Sequence, residues 1–182
     1  MDLTGWIATA AVVLAALGVI VVYNRLVSDR NLARQGFADI DVQLKRRADL
    51  VPQLVEAVRG YAAYEKALLE SVTELRARAV SASGLAERFG AERALGGPLG
   101  QLLLLQEAYP QLKADENFRK LSSQLVETED ALQYARRFYN GAVKQYLTRR
   151  ETFPDLIVAH LFGFAPMPFF ETDDREAVKV AL

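Results

Sequence analysis

Residues 5–23 read GWIATAAVVLAALGVIVVY, nineteen positions without a charge. At ~1.5 Å per residue, Trp6 to Tyr23 spans roughly 25 Å, close to the ~30 Å hydrocarbon core of a bilayer. The aromatics at its ends, Trp6 and Tyr23, are the residue types that favour the headgroup layer. Between them Ile7, Val12, Leu14, Leu17, Ile20 and Val22 present apolar surface all round the helix, which a soluble core helix tolerates only with neighbours on every side. The reading is a transmembrane anchor over residues 1–23. A cleaved signal peptide would want a basic start, a shorter apolar run and a small-x-small site. Here the start is MDLTG, and Val22-Tyr23-Asn24 is a poor cleavage site, so the anchor is expected to stay uncleaved.

Charge near the anchor sets its orientation. No lysine or arginine precedes it, whereas Arg25, Arg30 and Arg34 follow, opposed by Asp29. Positive charge stays on the cytoplasmic side, so the body is expected in the cytoplasm and the N-terminus outside the cell membrane. The three arginines are the expected lipid-headgroup contacts. The absence of cysteine fits a reducing compartment and excludes an N-terminal lipoprotein cysteine.

After the anchor roughly 160 residues remain, enough for one core. Leu, Ala, Glu, Arg and Gln dominate, which argues for an all-α body. A net charge of −1 offers no basic field for nucleic acid. Phe37, Ile40, Leu44, Val51, Val55 and Val58 recur at helical steps, with Ala48 in the gap, so the anchor continues into a cytoplasmic helix. Gly36 is its weakest point. Pro52 should kink that helix, Asp49 standing by to cap a restart. Leu68 or Leu69, Val72, Leu75 and Ala79 mark a helix ending near Val80. Residues 81–100, SASGLAERFGAERALGGPLG, hold five of the eleven glycines. They read as a loop with a short helix over 85–89, flexible and a candidate partner site. A further helix over 99–109 is closed by Pro110. Asp115 caps the longest helix, with a stripe of Phe118, Leu121, Leu125, Thr128, Leu132, Ala135, Tyr139, Ala142, Tyr146 and Phe153. A short helix over 155–162 follows. The expected fold is a transmembrane helix, then an antiparallel up-and-down bundle of about four long helices over 24–170, then a flexible acidic-leaning tail over 171–182.

Six blocks in order carry a resemblance: YNRLVSDRN, DIDVQLKRRADLVPQLVEAVRGYAAYE, EAYPQLKADENF, ETED, ARRFYNGAVKQY and FPDLIVAHLFGF. Together they resemble the LemA family. The resemblance implies an antiparallel bundle on one N-terminal anchor, a bacterial or archaeal source and no established enzymatic activity. It also implies an adaptor or scaffold role, with membrane-embedded proteases as partners. Ala48 departs from the family's usual aromatic, and Ala165-Pro166-Met167-Pro168 from a more charged stretch.

The residues themselves point away from an enzyme. His160, the one histidine, sits among apolar neighbours and reads as a packed or edge residue. With no cysteine, a transition-metal site would need carboxylates alone, and the Glu-x-x-His pairs of the carboxylate bundles are missing. Asp39 and Asp41 are two apart and face different sides of a helix. Glu127 and Asp130 share a face, suited to an ion pair with Arg46 or Arg47. Catalytic residues, cofactors and metals are therefore all expected to be none. Lys45, Arg46 and Arg47 lie some 33 Å from Tyr23 along an upright helix, several Debye lengths from the headgroups, and should pair with acidic residues instead. The tyrosines read as bundle core with hydroxyls at the rim.

Two functions follow. The first is a scaffold or adaptor that binds membrane proteins and self-associates, since Leu102, Leu103, Leu104 and Leu105 in a row cannot all face one core. The alternative is a membrane-remodelling or lipid-binding protein, for which residues 160–170, HLFGFAPMPFF, are the candidate surface.

Overall fold

The computed structural model describes residues 2–62 and 64–170; the tail over 171–182 lies outside them. The described residues form six helices and no strand: α1 (Leu3–Arg59), α2 (Lys66–Ser81), α3 (Leu85–Ala108), α4 (Pro110–Ala114), α5 (Glu116–Glu151) and α6 (Asp155–Leu161). The fold is an all-α bundle with one long apolar N-terminal helix, as expected. It divides into two compact units, one combining the chain up to Phe37 with Arg137–Phe169, the other built on Ala38–Arg136. The boundary falls within α1 and within α5.

In the second unit α1, α2, α3, α4 and the first half of α5 close around one core. Val51, Leu54 and Val58 of α1 meet Val72 of α2, Leu95, Leu99 and Leu102 of α3, Leu112 of α4, and Phe118, Leu121 and Leu125 of α5. Asp115 caps α5 as expected, its Oδ1 accepting the Phe118 N–H at 2.7 Å. Its other oxygen accepts the Tyr61 hydroxyl at 3.0 Å. These two hydrogen bonds favour the carboxylate, the backbone one most, and hold Asp115 below the usual range.

Two expectations for the chain path are corrected, and one alternative falls away. First, α1 runs unbroken through Pro52, so the proline does not restart the helix at Asp49. Proline removes the N–H that would bond the Ala48 carbonyl, and the Arg76 Nε–H of α2 takes its place at 3.1 Å. Second, Gly36 is not a weak point. A Cβ there would lie 2.9 Å from Phe138 Cδ1 and 3.0 Å from Tyr139 Cα, so glycine permits the close approach of α1 and α5 within the first unit. Third, the expected glycine-rich loop is mostly helix, and only residues 82–84 separate α2 from α3. Phe89, Glu92, Leu95, Leu99 and Leu102 are buried at steps of three and four. Each internal glycine costs about 1 kcal/mol of helix propensity, and Pro98 about 3 kcal/mol. Burying each large side chain contributes about 1.5–3 kcal/mol in the other direction, so packing outweighs local preference. Along α5 the expected stripe is buried from Phe118 to Tyr146 except for half-buried Ala135, but Phe153 is exposed because α5 ends at Glu151.

Candidate membrane-proximal site

The anchor residues stand clear of the other described residues. Trp6, Ile7, Val12, Leu14, Leu17 and Ile20 are between 53% and 69% exposed, and the most apolar window of α1 has none of its residues buried. A helix apolar on all sides and covered by nothing needs an apolar solvent, which is the physical case for a membrane anchor. At its end the helix changes company. Val22 leans on a cluster of Leu26, Tyr146, Val158, Ala159 and Phe164. Tyr23 stands edge-on to Phe162 and Phe164, with ring centroids at 5.0 and 5.5 Å.

Of the three arginines assigned to headgroups, Arg25 and Arg34 are exposed. Arg30 is half-buried, with its guanidinium 5.0 Å from the centre of the Phe164 ring, a cation–π contact. The reason is helical phase: Arg30 lies four residues from Leu26 and three from Ala33, both buried, so it points to the protein side of α1.

Asp29, read from sequence only as a counter-charge, organises the site. It is 5% exposed. Its carboxylate accepts from Gln145 Nε2 at 2.7 Å and from Arg149 Nε at 2.5 Å. Arg149 also reaches Asp155 at 3.6 Å, in the first turn of α6. The hydrogen bond that Arg149 donates to Asp29 raises the Arg149 pKa against the opposing pull of burial. One ion chain thus ties α1, α5 and α6. The signal was present in the sequence, since a carboxylate between Leu26 and Ala33 on an apolar stripe must have a buried partner.

Residues 162–170 fold back on α5. Gly163, at φ 67°, ends α6 in a Schellman arrangement: the Phe164 N–H donates to the Ala159 carbonyl at 2.9 Å and the Gly163 N–H to that of His160 at 3.3 Å. The Tyr146 hydroxyl donates to the Ala165 carbonyl and the Tyr139 hydroxyl to that of Pro168, each at 2.7 Å. Burial pushes the Tyr139 phenol up to about 12. These two tyrosines are core residues with satisfied hydroxyls, and His160 is an exposed edge residue. A shallow groove of about 430 Å³ is lined by Lys144, Gln145, Thr148, Arg149 and Asp155. Two of its charges, Arg149 and Asp155, are already committed to each other.

In the second unit the basic run splits three ways. Lys45 is exposed, and Arg46 makes a surface pair with Glu127 at 3.9 Å. Arg47 is buried at 2% exposure and takes the stripe position expected for Ala48. Its Nη1 donates to Glu92 Oε2 at 3.0 Å and to the Glu92 carbonyl at 3.3 Å. Its Nε lies 2.8 Å from Glu129 Oε1, too oblique for a hydrogen bond but close enough for an ion pair. Burial raises the Glu92 pKa and Arg47 partly offsets it. Burial also lowers that of Arg136, with Arg47 adding to the effect. The expected helix-to-helix ion pairs therefore form, with Glu129 rather than Asp130 as the buried cation's second partner.

The profile described as LemA family matches residues 36–182, most of the chain. The chain belongs to the LemA family. Magnetosome protein MamQ 2 of Paramagnetospirillum magneticum is 23% identical over 175 residues, covering 82% of this chain and 64% of the relative. MamQ of Magnetospirillum gryphiswaldense is 22% identical over 174 residues, covering 81% and 64%. Protein LemA of Metamycoplasma hominis is 23% identical over 158 residues, covering 86% and 72%. The chain thus spans less than two thirds of the MamQ relatives' length.

The LemA-matched span contains Arg47, Glu92 and Glu129, whereas the apolar run precedes it. It also contains the leucine run, and here the assigned interaction surface is corrected. Leu102 is fully buried, Leu103 and Leu105 pack on the core, and Leu104 alone, at 65% exposure, faces out. Consecutive residues on a helix step by about 100°, so one of four must leave the core.

Proposed function

We propose that this LemA family chain is a non-enzymatic, single-pass scaffold or adaptor that holds a helical body at the cytoplasmic face of the cell membrane. It binds other membrane proteins there, membrane proteases among the candidate partners, and self-associates. The observation that carries this reading is that α1 passes without interruption from an uncovered apolar segment into a packed body. A continuous helix tethers the body to the bilayer, as a scaffold requires. Arg25 and Arg34 beyond the apolar run, with no basic residue before it, support a cytoplasmic body. Leu104 and Val126 are exposed large side chains available to partners.

The test is in-membrane crosslinking of the full chain, followed by affinity capture through its C-terminus and mass spectrometry. One membrane protein recovered in fixed ratio supports an adaptor; the chain recovered with itself in a large assembly supports a scaffold. A monomer that captures neither refutes both.

A further inference from the structure

We propose that α6 is a second membrane contact, its outer face seated in the lipid interface beside the point where α1 leaves the bilayer. This rests on the reading of residues 5–23 as a membrane span. Three observations carry it.

The first is level. Phe162, directly after α6, stacks edge-on against Tyr23 at 5.0 Å, and Tyr23 is the residue at which the apolar run ends. Val158 and Ala159 of α6 pack in the same cluster as Val22, in the last turn of that run. The helix is therefore held at the depth where acyl chains give way to headgroups.

The second is facing. Val158 and Ala159 are buried, while Ile157 and Leu161, four apart and hence on one face, are 55% and 75% exposed. Phe162 at 51% and Phe153 at 74% extend the same apolar surface on either side of the helix. This is an amphipathic turn whose apolar side is covered by none of the described residues.

The third is rigidity. Asp155 is tied through Arg149 to Asp29, the Schellman arrangement at Gly163 fixes the other end, and Arg150 Nε donates to the Phe164 carbonyl at 2.8 Å. The exposed face cannot turn inward without breaking these bonds.

Lipid is the occupant because the surface is continuous with the span. Any cover at this depth must share the layer that already surrounds Ile20 and Tyr23. Exposed Arg25, two residues past Tyr23, supplies the cation that interfacial segments use toward anionic headgroups. Two contacts, a span and a shallow helix, prevent the first unit from rotating freely about the axis of α1.

The chain has no cysteine, so single-cysteine spin labels report without background. Full-length L161C, I157C, L14C and K144C variants are reconstituted in vesicles of phosphatidylethanolamine and phosphatidylglycerol. Collision rates with oxygen and with a water-soluble nickel chelate are then measured. The expected result is an oxygen-to-nickel ratio at Leu161 and Ile157 several-fold above that at Lys144 and below that at Leu14, the mid-bilayer site. A water-like ratio at Leu161 and Ile157, with a lipid-like one at Leu14, overturns the proposal and leaves the span intact. Low access to both reagents at Leu161 and Ile157 also overturns it, since protein, such as a second copy, then covers the face. A water-like ratio at Leu14 overturns the span and the proposal together.

Discussion

Arg47→Ala should be the most damaging single substitution in the second unit, for an electrostatic reason that a partner substitution can isolate. Arg47 is 2% exposed and Glu92 is 3% exposed, so removing the cation strands a carboxylate away from water. Breaking a buried pair on one side costs about 3–5 kcal/mol, whereas replacing both partners with apolar groups of similar volume is often nearly neutral. R47A is therefore expected to lose about 3–5 kcal/mol, and R47M/E92M only about 1–2 kcal/mol. Glu129, the remaining partner, keeps a third of its side chain exposed and is solvated without Arg47. The readout is hydrogen exchange at the Leu95 and Leu99 amides under a urea gradient in mild detergent, which reports the second unit by itself. A cost below about 1 kcal/mol for R47A would refute the buried-pair argument. So would a double variant no better than R47M.

The same pair predicts a pH dependence of definite sign. Burial raises the folded Glu92 pKa, and Arg47 opposes that rise. A carboxyl with a raised folded pKa binds its proton more tightly when folded, so its ionisation penalises the fold above that pKa. The penalty is relieved as pH falls through the raised value toward the ordinary glutamate range. Without Arg47 the rise is larger, so the R47A deficit should shrink on acidification from neutral pH across that window. R47A/E92Q should not show this recovery. A deficit that stays constant with pH would assign the loss to packing instead.

Asp115 behaves oppositely. Its folded pKa is lowered by the cap to Phe118 and by Tyr61, so its contribution is present at neutral pH and is lost as pH falls through that lowered value. D115A should therefore flatten the acid limb of a stability–pH profile measured by circular dichroism. Gly90→Ala, with nothing within 4 Å of the added methyl, should stabilise α3 by about 0.5–1 kcal/mol in urea unfolding. Gly36→Ala, pressed against Phe138 and Tyr139, should instead cost about 1–3 kcal/mol. Leu102→Ala should cost about 2–5 kcal/mol, whereas Leu104→Gln should change stability by less than about 0.5 kcal/mol and lower the oligomeric mass seen by light scattering.

These contrasts show where the sequence was legible. Segments with strong formers and a clean stripe, such as α5 from its Asp115 cap to Tyr146, could be read almost to the residue. Residues 81–100 could not, because Gly90, Gly96, Gly97, Pro98 and Gly100 signal a loop while Phe89, Leu95, Leu99 and Leu102 supply a helical stripe. Only tertiary burial decides between the two. Buried charge is legible only in part for a related reason. Arg47 reads as a partner for acidic residues, but the depth of its burial and that of Asp29 emerge only with their partners, here Glu92 and Arg149 from distant segments. Leu104 was separable from Leu102 only once the phase of α3 was known.

The point at which α1 changes solvent is written in its own pattern. Up to Val21 every large apolar side chain is exposed and no face is preferred. From Leu26 the buried positions are Leu26, Asp29, Ala33, Gly36, Ile40, Leu44 and Arg47, at steps of three and four. An all-round apolar helix suits a medium that is the same on every side, and a stripe suits a protein neighbour on one side and water on the other. The switch occurs within about one turn, between Val21 and Leu26, and that turn also carries Tyr23, exposed Arg25 and the contacts to α6. If the stripe's first turn marks the bilayer surface, a polar substitution before it should be far more disruptive than one just after. Two substitutions either side of Tyr23 make this concrete: Ile20→Asp should abolish membrane integration measured by carbonate extraction, whereas Asn24→Asp should not. Equal retention of both variants in the membrane pellet would mean that the change of pattern marks something other than the change of solvent.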